Sequence, residues 1–248
     1  SSVGLFETIP EEYISEVKKM LVCYPGESHG RALIYGMALL EALDARFTFQ
    51  ANWDEAPAAP TDTALRLSRT YWNGTAWDSW TGEEDFWTSN EAITNMNSWL
   101  TYAAATLNNP VSVFGFGWCY DMSWGGLEDG WAGELYWPKD RSHVTAPWDI
   151  TESSPSLQDY LNAIVQYNAN HPNTVTIYTT GPVDNTSYNQ GASGYQRELK
   201  NRAIREWAAQ NGGYLFDYAA IVSHNDEGNH YTLSYNGEVY EYLHPDNY

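Results

Sequence analysis

Met20-Leu21-Val22-Cys23-Tyr24 is a short apolar run, and Pro25-Gly26-Glu27-Ser28-His29-Gly30 breaks it before a helical period sets in from Arg31 to Leu43. A brief apolar run bounded by turn residues reads as a buried strand. A strand that meets a helix through a tight turn is the opening unit of an α/β sheet. Upstream, Thr8-Ile9-Pro10-Glu11 has the form of a capping box with proline in the first turn, which predicts a helix to about Lys19. The first unit is therefore helix, strand, tight turn, helix.

The same alternation continues. Arg46–Gln50 reads as a second strand, and 51–88 as a long aromatic loop that is either functional or conceals short elements. Thr88-Ser89-Asn90-Glu91 opens a helix to about Leu107, Val111–Gly117 is a third strand, and 118–150 is a second long aromatic loop. A helix over Ser156–Asn168, a strand over Thr174–Thr180, a helix capped at Ser193 and stopped by Asn211-Gly212-Gly213, and a strand over Tyr214–Tyr218 follow. Tyr231–Tyr235 and Glu238–Tyr242 flank Asn236-Gly237, a strong hairpin signal. The expectation is one α/β domain over 1–248, with a central parallel sheet of about five strands between helical layers. The loops after the strands then collect on one rim, where such sheets place their active sites.

Composition narrows the partners. A formal net charge of -20 repels phosphate backbones and anionic membranes, so neither nucleic acid nor a membrane is an expected partner and a neutral substrate or a cation is more comfortable; the plainer reading is an acidic surface that serves solubility. Twelve tryptophans suggest an aromatic-rich surface of the kind that stacks on sugars, although about half of the loop rings are expected to pack under their own loops. Cys23 and Cys119 have no metal-ligand spacing, and a buried free pair is expected over a disulfide. No apolar stretch is long enough to span a membrane. Asn225-Asp226-Glu227-Gly228-Asn229-His230 offers oxygen ligands without EF-hand spacing and reads as a solvated turn. His143, His171 and His224 read as bystanders, and no metal or organic cofactor is expected.

Two segments carry chemistry. Gly26-Glu27-Ser28-His29-Gly30 would present a serine hydroxyl at the sheet edge beside a helix start, whose free N–H groups suit an oxyanion; the plainer reading is that Ser28 caps the helix. Glu241-Tyr242-Leu243-His244-Pro245 places a carboxylate three residues before a histidine that could take the serine proton, the alternative being a surface histidine near a terminus.

With Gly26-x-Ser28 after the first strand and Glu241-x-x-His244-Pro245 near the end, the chain resembles the SGNH (GDSL-like) hydrolases from about Lys18 to Pro245. The resemblance implies a flavodoxin-like three-layer α/β/α fold. It also implies Ser28 as nucleophile, His244 as base and Glu241, in place of the family's Asp, as orienting acid, with Asp246 as a fallback neighbour. The family's Gly-x-Asn motif after the third strand is replaced by Gly115-Phe116-Gly117-Trp118-Cys119-Tyr120-Asp121; Asn73-Gly74 is then the candidate for the missing oxyanion donors. Trp118, Tyr120, Trp124 and His29 would line the substrate site. The reading is a secreted serine esterase that deacetylates a polysaccharide. Its alternatives are a small acyl or aryl esterase or lipase, and a catalytically inactive SGNH-like domain that binds glycans. No signal peptide is visible, so an extracellular location is an expectation from composition and family.

Overall fold

A computed structural model describes residues 6–25, 28–53, 55–78, 90–115, 117–118, 157–185 and 191–247; of their side chains, those of residues 28, 29, 90–92, 157 and 192 are not described. Helix α1 (Glu11–Lys18) leads into strand β1 (Leu21–Cys23) and then helix α2 (Ser28–Leu43). Pro10 rather than a side-chain cap starts α1. Strands β2 (Phe49–Asn52), β3 (Leu65–Ser68), β4 (Tyr71–Trp72) and β5 (Trp77–Asp78) precede helix α3 (Asn90–Ala105) and strand β6 (Val113–Phe114). Helix α4 (Leu157–Asn170), strand β7 (Val175–Thr179), helix α5 (Ala192–Asn211), strand β8 (Tyr214–Phe216) and the short helix α6 (Tyr218–Ser223) follow, and the hairpin β9 (Thr232–Tyr235) and β10 (Glu238–Glu241) closes the described chain.

The central sheet has six strands in the order β2-β3-β1-β6-β7-β8, and every pairing in it is parallel. Helices flank it in a three-layer α/β/α arrangement. On one face, Trp99 and Leu100 of α3, Tyr160 and Ile164 of α4, and Ile204 of α5 pack on Leu21, Cys23, Phe114 and Tyr178. On the other, Ile34 of α2 packs with Tyr24 and Leu67. Full burial of each such apolar side chain contributes roughly 1.5–3 kcal/mol. β1 lies between β3 and β6, and is apolar throughout because both of its faces are covered.

The sheet has one strand more than the expected five. The difference lies in 51–88, which is not a loop throughout: β3 and the small β4–β5 hairpin lie inside it. β3 reads Leu-Arg-Leu-Ser, so a charge interrupts its apolar run. The structure accommodates that charge by burying Arg66 against Asn109 Oδ1 and the carbonyl of Lys19, the latter at 2.8 Å. The second strand begins at Phe49 rather than Arg46, because Asp44 accepts from the Arg46 main chain at 2.9 Å and closes a 3-10 turn over Ala45–Phe47. Ser193 lies inside α5, not at its cap.

Candidate active site

With every strand of the central sheet parallel, all six carboxyl ends share one edge. β1 ends at Cys23. Its continuation is fixed by the Tyr24 N–H donating to the Ser68 carbonyl (2.9 Å) and the Gly117 N–H donating to the Pro25 carbonyl (3.0 Å). α2 then begins at Ser28, so the first-turn N–H groups and the positive end of the helix dipole lie at this edge. Gly30 eases the close approach here: a Cβ there would stand 3.1 Å from the Tyr24 carbonyl oxygen, a tight contact. Gly26, Glu27, the Ser28 hydroxyl and the His29 ring lie outside what is described.

Directly beneath, Cys23 is free and buried. Its sulfur accepts from Trp99 Nε1 at 3.1 Å and lies 3.5 Å from the Thr70 carbonyl. Burial pushes the thiol up to about 12, so Cys23 is a packing residue rather than a nucleophile. Cys119, the other half of the expected pair, lies outside the described residues. A small cavity of ≈ 90 Å³ runs between the starts of α2 and α6, lined in part by Tyr24, Ala32, Leu33, Phe216 and Tyr218.

His244 reaches the same edge from the other end of the chain. The Leu243 N–H donates to the Asp184 carbonyl beyond β7, and the His244 N–H to the Val222 carbonyl in α6, both at 3.0 Å. Asn247 Nδ2 ties the following turn to the carbonyls of Val222 (2.9 Å) and His224 (2.8 Å). The imidazole is 12% exposed and meets the Tyr231 ring edge-on at 5.8 Å. Its Nδ1 accepts from the Asp246 N–H at 3.1 Å, with Asp246 Oδ2 at 3.5 Å. Asn225 Nδ2 donates to that same Oδ2 at 3.1 Å.

Glu241 is therefore not where the spacing puts it. Its carboxylate is taken by Arg205, which donates from Nη2 to Oε2 at 2.7 Å, while Oε1 lies 3.4 Å from His230 Nε2. The same guanidinium grips Asp217 through two bonds of 2.8 Å. Burial disfavours the Asp217 carboxylate, yet the bonds from Arg205 hold it below its ordinary range; burial likewise opposes the Arg205 charge, and its two acid partners raise it. A helix residue 36 positions upstream has intercepted the acid. The carboxylate at His244 Nδ1 is that of Asp246.

The expected oxyanion pair also has other work. Asn73 Oδ1 accepts from the main chain of Thr75 and Ala76, both at 2.9 Å, and Gly74 (φ +102°) turns the β4–β5 hairpin. That hairpin leans on α3, where Trp72 stacks on Tyr102 at 4.7 Å and Trp77 meets Trp99 edge-on at 5.3 Å. Trp118 is 3% exposed, and its indole N–H donates inward to the Thr179 carbonyl at 2.8 Å. It belongs to the core cluster and contributes to the wall of the small cavity between α2 and α6. Tyr120, Trp124 and the rest of 119–150 lie outside the described residues, as do Trp80, Trp87 and His143.

Comparison with family models, with curated proteins and with solved structures returns no match. Among the described residues, no group of three or more His, Cys, Asp or Glu side chains could hold a metal ion, and no helix is long and apolar enough to cross a membrane. His171 sits against Asn97 Oδ1 at 3.2 Å, and burial lowers its pKa, away from the rim chemistry. His224 and His230 stack on one another at 4.2 Å. The turn between them is closed from within, Asn225 Oδ1 accepting from the Asn229 N–H at 2.8 Å. Sequence reading missed the scaffold of the His244 arm: Asp184, Arg205, Asp217, Val222 and Asn225. The one signal it offered was Asp217 before Tyr218-Ala219-Ala220, a helix-capping pattern realised by a bond from the Ala220 N–H at 3.3 Å.

Proposed function

We propose that this chain is a secreted serine esterase that removes acyl groups, acetyl foremost, from a polysaccharide, with Ser28 as nucleophile and His244 as general base. The observation that carries the reading is positional. The helix start that holds Ser28 and the main-chain-anchored His244 share the carboxyl edge of one parallel sheet. In this reading Ser28 Oγ attacks the ester carbonyl carbon and its proton passes to His244 Nε2. The first-turn N–H groups of α2 face the developing oxyanion. Collapse expels the sugar hydroxyl, which takes the proton back from His244. Water, deprotonated by the same ring, then attacks the acyl-enzyme and releases the acid. The Asp246 carboxylate stabilises the imidazolium from the Nδ1 side. Since it is 64% exposed, its replacement by Asn costs about tenfold or less, well short of the effect of a buried triad acid.

One observation favours a second reading, a catalytically silent domain that binds glycans. His244 Nδ1 accepts the Asp246 N–H, which places the ring proton on Nε2, the tautomer that cannot take a proton from serine. The same experiment separates the two. Acetate release from acetylated xylan and acetylated pectin, with p-nitrophenyl acetate alongside, falls at least about 10³-fold in Ser28→Ala if the esterase reading holds. Activity confined to the small ester points to a general esterase. No release from any substrate, with glycan binding retained, overturns catalysis.

A further inference from the structure

A cavity of ≈ 630 Å³ lies where the end of β8 meets α6 and the turn that follows α6, within the size range of small-molecule sites. Leu215 of β8 and Ala220, Ile221 and Val222 of α6 give it apolar walls. Leu215 and Ile221 are 36% and 40% exposed, so apolar surface is left here for a ligand to cover. The rest of the lining comes from the Asn225–Gly228 turn and from Asn247. Bonds within the chain hold that turn. The Asn225 N–H donates to the Asn229 carbonyl at 3.1 Å, Asn225 Oδ1 accepts from the Asn229 N–H, and the Gly228 N–H donates to the Asn225 carbonyl at 2.9 Å. A β-bridge between His224 and His230 closes its ends. Walls fixed in advance need little ordering when a ligand binds.

The polar side chains of the lining turn their donors inward. Asn225 Nδ2 donates to Asp246, and Asn247 Nδ2 to the carbonyls of Val222 and His224. His224 Nδ1 lies 2.7 Å from the Ala220 carbonyl, which can only accept, so that nitrogen carries the ring proton. Asp217, also in the lining, is already gripped by Arg205. The charge left for a ligand is the carboxylate of Asp226, an exposed residue of the turn. Sequence agrees with this sign. From Glu206 to Tyr248 the chain has seven Asp or Glu and no Lys or Arg. A groove with apolar walls and charge of one sign concentrates counter-ions. An apolar floor suits an organic cation rather than a hydrated metal ion, which needs a cage of oxygens.

We infer that this cavity binds an organic cation, a charged nitrogen on an apolar body, with the body on Leu215, Ile221 and Val222 and the charge beside Asp226. The site is independent of Ser28 and of any acyl transfer there.

The test is binding of three probes that share one body. Phenylbutylammonium, phenylbutanol and phenylbutanoate are titrated into the full chain at neutral pH and low salt, and the methyl resonances of Ile221 and Val222 are followed by NMR, with Ile34 of α2 as the distant control. The ammonium should bind about fivefold tighter than the alcohol or better, the carboxylate weakest of the three, and the ammonium's lead should shrink as salt is added. Asp226→Asn should bring the ammonium-to-alcohol ratio to within about twofold of unity, with circular dichroism and melting temperature unchanged. Ile221→Gln, which keeps the charge and spoils the floor, should weaken both alike by about threefold and leave the ratio as it was. Equal affinity for ammonium and alcohol, no binding of the ammonium, shifts that miss Ile221 and Val222, or a lead that survives Asp226→Asn overturns the site.

Discussion

Ser28 and His244 reach one sheet edge from opposite ends of the chain, and different forces hold them there. β1 lies in the middle of a six-stranded sheet, where Leu21 and Cys23 are fully buried and the Trp99 indole donates to the Cys23 sulfur. The His244 arm hangs from a two-stranded hairpin outside that sheet, and such hairpins are marginal alone. Charge fastens it to α5 and the strand ends: Arg197 on Asp184, Arg205 on Glu241 and Asp217, and Glu198 on the Glu241 N–H. Apolar burial does not titrate and ordinary salt does not screen it, whereas ion pairs respond to both pH and salt. The strand that leads to Ser28 is therefore held by burial, and the arm that carries His244 is held by charges that respond to conditions.

Asp184→Asn should break the comparison hardest. The Asp184–Arg197 pair is almost wholly buried at 2.7 Å, and removing one charge strands the other. The expected loss is about 3–5 kcal/mol by urea denaturation. The loss should fall on the arm, since the Asp184 carbonyl also holds the Leu243 N–H. Adding Arg197→Met should recover part of it, because no unpaired charge is then left buried. If the double variant is as unstable as the single one, the arm is held by packing and the contrast fails.

Two glycines sharpen the comparison at smaller cost. A Cβ on Gly194 would meet the Tyr240 ring at 2.3 Å and Asp184 Oδ2 at 2.8 Å; one on Gly115 would meet Ile177 Cγ1 at 2.6 Å and Tyr24 at 3.0 Å. Overpacking of this kind costs roughly 1–3 kcal/mol. Gly115→Ala presses on Ile177 and the edge of the Tyr24 ring, whereas Gly194→Ala presses closer on a ring and on a paired charge at once. Thermal unfolding should therefore rank Gly194→Ala as the worse. The reverse ranking would place the rigid half at the wrong end.

The rigid half is also the half that sequence makes legible. Leu21-Val22-Cys23 between turn residues is a local pattern with a local cause, and so is Asn236-Gly237, whose φ values of +51° and +85° are those the tight hairpin requires. What stayed hidden depends on partners far along the chain. β3 was obscured by Arg66, whose burial is tolerable only because Asn109 and the Lys19 carbonyl await it. The spacing of Glu241 and His244 suggests an acid–base pair, and nothing nearby announces that Arg205 holds the acid. Trp118 looks like a rim platform until the Thr179 carbonyl turns its indole inward. Periodicity reports which face is apolar; it does not report which distant charge a side chain will choose.

The smallest expected effect separates the two halves by pH alone. Asp217 is opposed by burial but more strongly favoured by Arg205, so its folded pKa lies below the ordinary 3.8. A depressed carboxylate contributes stability that is complete above its ordinary value and is lost as pH falls through its folded one. Arg205 stays charged throughout, so acid removes one end of the clamp and not the other. Hydrogen exchange, corrected for the intrinsic rate, should show amides of Glu238–Glu241 losing protection as pH falls from about 5 to about 2, while those of Leu21–Cys23 keep theirs. In Asp217→Asn the hairpin should already be less protected at pH 6, and its slope with pH should flatten. Parallel loss in both segments would mean that acid unfolds the whole domain at once. In that case the ion pairs of α5 fasten no separate arm, and His244 is as firmly built as the strand that leads to Ser28.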